Sequence, residues 1–176
     1  MSTLQSSHET PSENLLSFFL TADLQMVLPT HQLREMVKLE TSQIAAISGM
    51  PTPVVGVCLL QDEVVWLVDL PCCFRLGVSI QAGVTTNCNV LKVKTNQGNL
   101  GIIVQQVGQI LVPAANSLQA HTEVETWMTS LTQPEMDSNQ IEPIKSLIKL
   151  LWIDSAGLSL PVLDVDAIAP YLERIA

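Results

Sequence analysis

Positive charge is scarce in this chain. Of 176 residues only 8 are Lys or Arg, against 17 Asp or Glu, for a net charge of −9 at pH 7. Binding nucleic acid requires clustered cations that neutralise phosphates. The few present are scattered, which argues against nucleic acid as a partner, and the same charge disfavours adhesion to anionic lipid. Aromatic residues are only 4% of the chain, and Trp66, Trp127 and Trp152 are too separate to form a stacking platform for bases. Trp66 and Trp152 lie in strand-like runs and read as core. Cysteine occurs four times, at 58, 72, 73 and 88, with neither a C-x-x-C pair nor a zinc spacing. The vicinal Cys72-Cys73 reads as two reduced thiols after a strand, with a redox switch as the rival reading. The histidines, His8, His31 and His121, form no ligand cluster, so no metal site is expected. His31 has only Glu35 at i+4, which reads as a solvated pair. No run reaches the ~20 apolar residues of a membrane span. The first 14 residues lack the basic start and long apolar stretch of a secretory signal. Phosphate-binding loops, dinucleotide fingerprints and nucleophile elbows are also missing. These absences predict a cytoplasmic protein with no cofactor, no catalytic centre and no direct membrane insertion.

What is present is apolar. Hydrophobic residues make up 47% of the chain and charged ones only 14%, which excludes wholesale disorder and leaves a largely neutral surface of the kind used for protein contacts. The length fits one domain, or two small subdomains sharing a core. The densest signal is P-T-P-V-V-G-V-C-L-L-Q-D-E-V-V-W-L-V-D-L at 51–70. Two apolar runs face each other across Gln61-Asp62-Glu63, and the second ends in a lone acid, Asp69. Residues 64–68 are apolar throughout, so that strand is expected to be buried on both faces. Near the C-terminus L-P-V-L-D-V at 160–165 repeats the device, with Asp164 at the strand exit. Two related sheet units follow.

Residues 1–14 read as a flexible tail. Strands are predicted at 15–20 and 24–28, the second stopped by Pro29. Thr30 is expected to cap a helical turn through Val37, with Leu33 and Val37 on one face. Residues 44–47 are the better strand in an ambiguous stretch, before the turn formers at 48–53. Strands at 54–60 and 64–70 make a hairpin. Residues 71–89 read as loop with one helical turn around Phe74. A half-buried strand at 90–95, with Val90, Lys92 and Lys94 alternating against Leu91 and Val93, turns at Asn96-Gln97-Gly98-Asn99 into a strand at 100–104. Another strand covers 107–112. The stretch 114–143 is a long polar loop with one short helix around 123–131. A last strand pair at 146–154 and 158–163 precedes a helix at 167–175, capped by Asp166, with Pro170 in its first turn. Many short strands and little helix predict a mainly β fold.

Asp69 and Asp164 could be a carboxylate pair for acid–base chemistry, as in a small hydrolase or ligand-binding barrel. The competing reading is structural: each accepts backbone N–H bonds where a strand leaves its sheet. Arg34 and Glu35 sit beside apolar Leu33 and read either as a solvated turn or as the polar edge of a protein-binding groove. Gln61-Asp62 is either a hairpin tip or a contact surface.

The pieces F-F-L at 18–20, Pro29, L-R-E-M at 33–36, Pro51 and Pro53, Gly56-Val57, Leu60, Val64, V-D-L at 68–70 and G-I-I-V-Q-Q-V-G-Q-I-L at 101–111 fall in an order that resembles the CheW family of chemotaxis coupling proteins. The likeness runs from about 15 to 172. Within the family, W-L-V-D-L and W-I-D-S-A-G-L-S-L-P-V-L-D resemble the branch found in cyanobacterial phototaxis and pilus motility. The resemblance implies two intertwined five-stranded SH3-like barrels over 15–176 with a short C-terminal helix. It also implies no enzymatic activity and an adaptor role between the regulatory domain of a chemotaxis-type histidine kinase and the cytoplasmic tip of a methyl-accepting receptor. A receptor helix would lie in a groove between the barrels. Carried over by position, Leu33, Arg34 and Glu35 would border it, with Gly56, Gln61 and Asp62 nearby. Two departures stand out. The family's Leu-Arg-Gly is here Leu60-Gln61-Asp62, which removes a cation and adds an acid, and Gln105 stands where an Asp is usual. The Gln61-Asp62 departure motivates a further reading that keeps the fold but loses the receptor: a kinase-only partner, or a competitor that displaces the ordinary adaptor.

Overall fold

The computed structural model describes residues 13–113, 118–119, 124, 127–128 and 136–176. The strands are β1 (Leu15–Phe19), β2 (Gln25–Pro29), β3 (Leu33–Glu40), β4 (Val54–Leu60), β5 (Glu63–Asp69), β6 (Asn87–Thr95), β7 (Gly98–Val104), β8 (Gln106–Leu111), β9 (Leu118–Gln119), β10 (Ile148–Ile153) and β11 (Ser159–Leu163). Short helices α1 (Leu70–Cys73), α2 (Ser138–Lys145) and α3 (Ile168–Ile175) complete the described elements, with single 3₁₀ turns at Thr30–Gln32, Thr41–Gln43 and Val165–Ala167.

Two sheets form, in the orders β8-β1-β2-β11-β10-β9 and β3-β6-β7-β5-β4; they are the first and second sheet below. Their connectivity is the same. In each, a hairpin (β1–β2 or β6–β7) is flanked on one side by an antiparallel strand (β8 or β3). On the other side it is flanked in parallel by the second strand of another hairpin (β11 of β10–β11, or β5 of β4–β5). The chain reaches this by exchange: β3 follows β2 but joins the second sheet, and β8 follows β7 but joins the first. Each half of the sequence therefore builds part of both sheets, which is the intertwining expected from the resemblance.

The second sheet closes on itself. Past β3 the chain bends at Thr41–Gln43, and Ala45 pairs with Val57 of β4 through N–H···O bonds of 2.8 and 2.9 Å. Gly56 stands at this seam, on a β-bulge, with φ +149°. A Cβ there would lie 2.2 Å from the Ala45 carbonyl oxygen, so only glycine fits without moving backbone. In the first sheet the equivalent contact is β9 on β10.

Three apolar cores result. A large one between the sheets holds Phe18, Met26, Leu28, Leu91, Ile102, Leu151 and, from α3, Ile168 and Tyr171. A smaller one fills the second sheet's interior with Leu39, Cys58, Leu60, Val65, Leu67, Cys88, Val90 and Ile103. The third, in the first sheet, contains Leu15, Val27, Trp152, Leu160 and Val162. β1 is buried on both faces, and its one polar side chain, Ser17, both donates to and accepts from Gln109 backbone at 3.0 and 2.8 Å, so no polar group is stranded there.

Several expectations are corrected. Residues 33–37 are strand, not a helical turn: i and i+4 share a face in strands as well as helices, and pairing with β6 decides the matter. Of 44–47 only Ala45 makes a ladder contact. Residues 64–68 are not buried on both faces. Val65, Leu67 and Val68 are, but Val64 is 66% and Trp66 40% exposed, because no described residue covers the outer face at the hairpin end. Trp66 is therefore not core, whereas Trp152 is. β6 is not half-buried, since Val90 to Val93 are all buried, Lys92 included. The acid capping the C-terminal turn is Asp164, which accepts from Asp166 N–H at 3.2 Å. Asp166 instead accepts from Asn96 N–H at 2.7 Å, tying down the β6–β7 hairpin. Helix α2 takes up the end of the stretch read as loop and the two residues after it. The helix placed at 123–131 falls largely outside the described residues, with Val124, Trp127 and Met128 helical. Most of the predicted tail also lies outside them; the Asn14 carbonyl accepts from Thr30 N–H at 2.9 Å.

Candidate partner-binding surface

The β4–β5 hairpin has a two-residue turn, Gln61 and Asp62, both left-handed with φ of 49° and 63°. That pair of positive φ values belongs to the tight turn whose twist matches paired strands. Glycine and Asn fit it without strain, and Gln61 does not share that tolerance. Both side chains are exposed. Asp62 therefore presents its charge at the tip of a rigid hairpin.

Below the tip the second sheet opens in a polar mouth. Glu35, Lys92, Gly101 and Leu67 pair in one row across β3, β6, β7 and β5, so they share the inner face. Lys92 is only 6% exposed. Its stem is buried and its ammonium reaches Glu63 Oε2 at 2.7 Å, the way long cationic side chains bury carbons and keep the head near water. Asn99 Nδ2 donates to both Glu63 oxygens at 3.0 and 3.1 Å. Its bond to Lys92, then those to Asn99, hold the Glu63 carboxyl below the usual glutamate range. Glu35, opposite Lys92, has a different fate: its Oε2 is buried and has no hydrogen-bond partner among the described residues. The start of β3 and the hairpin are thus brought to one place by Lys92.

The remaining predicted residues lie elsewhere. Leu33 packs half-buried against the large core, Arg34 is exposed on a bulge of β3, and Gly56 belongs to the closing seam. His31 pairs with Glu13, not with Glu35.

Beside the mouth, an apolar groove of about 200 Å³ runs between the outer face of β5 and β7 and helix α3. Trp66, Val68 and Leu100 form one wall, Val165, Ala169 and Leu172 the other. Asn99, which also lines it, links groove to mouth. Leu59 and Val64, cross-strand partners on the hairpin's outer face, continue the apolar surface. The resemblance used Trp66 only as a mark of the branch and did not single out Leu100, Lys92, Glu63 or Asn99. The lone Lys inside V-L-K-V and the Trp inside V-V-W-L-V were the available signals.

The strand-exit acids are engaged locally. Asp69 is buried; its oxygens accept from Ser79 N–H at 2.6 Å, Ser79 Oγ–H at 2.7 Å and Cys72 N–H at 3.4 Å. Asp69 thereby caps α1 and anchors the loop after it. Asp164 caps the last 3₁₀ turn. Burial pushes the thiols of Cys58, Cys72 and Cys73 up, and that of Cys88 up to about 11, so all four are protonated at neutral pH and poorly nucleophilic. Among the described residues no group of His, Cys, Asp and Glu could hold a metal, and no helix is long and apolar enough to cross a membrane.

Residues 15–172 match the family model of the CheW-like domain. The chain belongs to the CheW-like domain family. Its members are scaffolds of chemotaxis signalling, and the exchanged-strand architecture described above agrees with the match. Among solved structures, the crystal structure of the scaffolding protein TtCheW from Thermoanaerobacter tengcongensis superposes with a TM-score of 0.64 at 16% identity, over 88% of this chain and 90% of that one. No curated protein matches the chain.

Proposed function

We propose that this CheW-like chain is a non-catalytic adaptor that couples a methyl-accepting receptor to a chemotaxis-type histidine kinase in the control of phototaxis or pilus motility. The observation that carries the reading is the family match over nearly the whole described fold, joined to an open apolar groove with a polar mouth at its side. A receptor-tip helix would lay its apolar stripe along Trp66, Leu100 and Leu172, the helix-in-groove mode of recognition. Polar side chains on its flank would meet Glu35 and the Gln61-Asp62 tip, with Leu33 and Arg34 at the border. Gly56 would serve by shaping the seam. The hydrolase alternative loses its ground, because both Asp69 oxygens are committed to loop donors.

Calorimetric titration with the regulatory domain of a kinase from the same cell is the test. Micromolar affinity, ~−8 kcal/mol, is expected; no binding by any such domain would leave the family match describing the fold alone. A titration with receptor tip follows. The missing tip cation favours a second reading, a kinase-only partner. Gln61→Arg with Asp62→Gly restores the family's pattern. A gain of receptor binding from none would establish that second reading, and an unchanged, already measurable affinity would remove it.

A further inference from the structure

Lys92 faces two carboxylates and bonds one. Its ammonium is on Glu63 at 2.7 Å, while Glu35, directly opposite on β3, keeps a buried oxygen with no partner among the described residues. Directly opposed residues have Cβ atoms about 5 Å apart, so the swing of a lysine side chain covers the distance to Glu35. A desolvated ammonium without a counter-ion is costly. If Glu63 were not there, Glu35 would be the acid at hand.

We propose that Glu63 is a positioning residue: by holding the Lys92 ammonium it keeps Glu35 unpaired, so that the half-buried Glu35 side chain can turn its carboxylate outward to accept from an N–H donor on the docked partner. This rests on the adaptor reading above. The other charged groups at this end are Arg34 on β3, Lys94 on β6 and Asp62 at the tip, all exposed. Asn99 keeps Glu63 in place from β7, so the acid is fixed from two strands while remaining 43% exposed.

The signature is a sign reversal between variants. Glu63→Gln keeps the shape but releases Lys92, which turns to Glu35 and blocks it. Affinity for the isolated cytoplasmic tip of a receptor from the same cell is expected to fall about tenfold. Adding Lys92→Met removes the blocking cation and is expected to restore affinity to near the starting value; Lys92→Gln serves if the methionine variant does not fold. A merely structural role would make the double variant no better than the single one, and that result overturns the proposal. A crystal structure of the Glu63→Gln variant gives a readout independent of any partner. Lys92 Nζ within hydrogen-bond distance of Glu35 supports the exchange, and an ammonium that stays away from Glu35 overturns it. Failure of the unaltered protein to bind any receptor tip would overturn the adaptor reading instead, and the variant structure would still decide the exchange.

Discussion

The two sheets share one strand order and differ in what they enclose. The first surrounds an apolar interior capped by Trp152. The second encloses apolar residues at one end and, at the other, a lysine held by a glutamate. The outer faces differ in the same way: the second sheet leaves Trp66, Val64 and Leu59 uncovered. Topology is what the two halves have in common, and burial is where they part.

The pair of tryptophans gives the sharpest way to break the comparison. Trp152→Ala, in a closed interior, should cost about 3–5 kcal/mol in urea unfolding. Trp66→Ala should cost about 1 kcal/mol or less, and instead lower receptor-tip affinity about tenfold or more by calorimetry. Equal losses of stability at both positions would show that Trp66 is ordinary core. The seams come next. Gly56→Ala should destabilise by about 2–4 kcal/mol, since strained φ and a backbone clash add. Gly108→Ala, whose Cβ would lie 2.3 Å from the Ser17 hydroxyl and 3.0 Å from the Ser17 carbonyl oxygen, should lose less, because its backbone contact is longer and its φ is not left-handed.

Acid separates the interiors further. The folded Glu63 carboxyl lies below its unfolded value near 4.3, so its contribution to stability is complete above that value and lost as pH falls through the folded one. Glu63→Gln should flatten the stability curve measured from about pH 5 downward, and an unaltered acid slope would remove Glu63 from that account. The smallest effect is at the hairpin. Gln61→Asn with Asp62→Gly should raise stability by about 0.5–1 kcal/mol through relief of two left-handed residues.

Much of this fold was legible in the chain. The runs at 54–60 and 64–70, the stop at Pro29 and the hairpin at 96–99 gave most strands near their true bounds, because apolar runs between turn formers constrain local structure strongly. The exchange of β3 and β8 between sheets rested on the resemblance alone, since pairing partners far apart in sequence leave no local mark. The errors share a cause. Alternation tells which residues share a face, not which face is wet. Lys92 therefore looked solvent-facing although its face is a barrel interior, and the unbroken run around Trp66 looked doubly buried although one side is open. At the candidate site, Glu35 and Gln61-Asp62 were singled out through family position. Lys92, Glu63 and Asn99 act together only because three strands converge on them.

The strand exchange also sets a timetable for synthesis. All five strands of the second sheet have emerged once Val104 is made, so that sheet can close while the chain is still growing. The β1–β2 hairpin, made first, waits for β8, β10 and β11, the last of them ending at Leu163. Until then its apolar strands have open edges, the state most exposed to wrong pairing. The oldest part of the nascent chain is thus the last to be finished, and a chain ending just after Val104 would hold every strand of the second sheet and only one hairpin of the first.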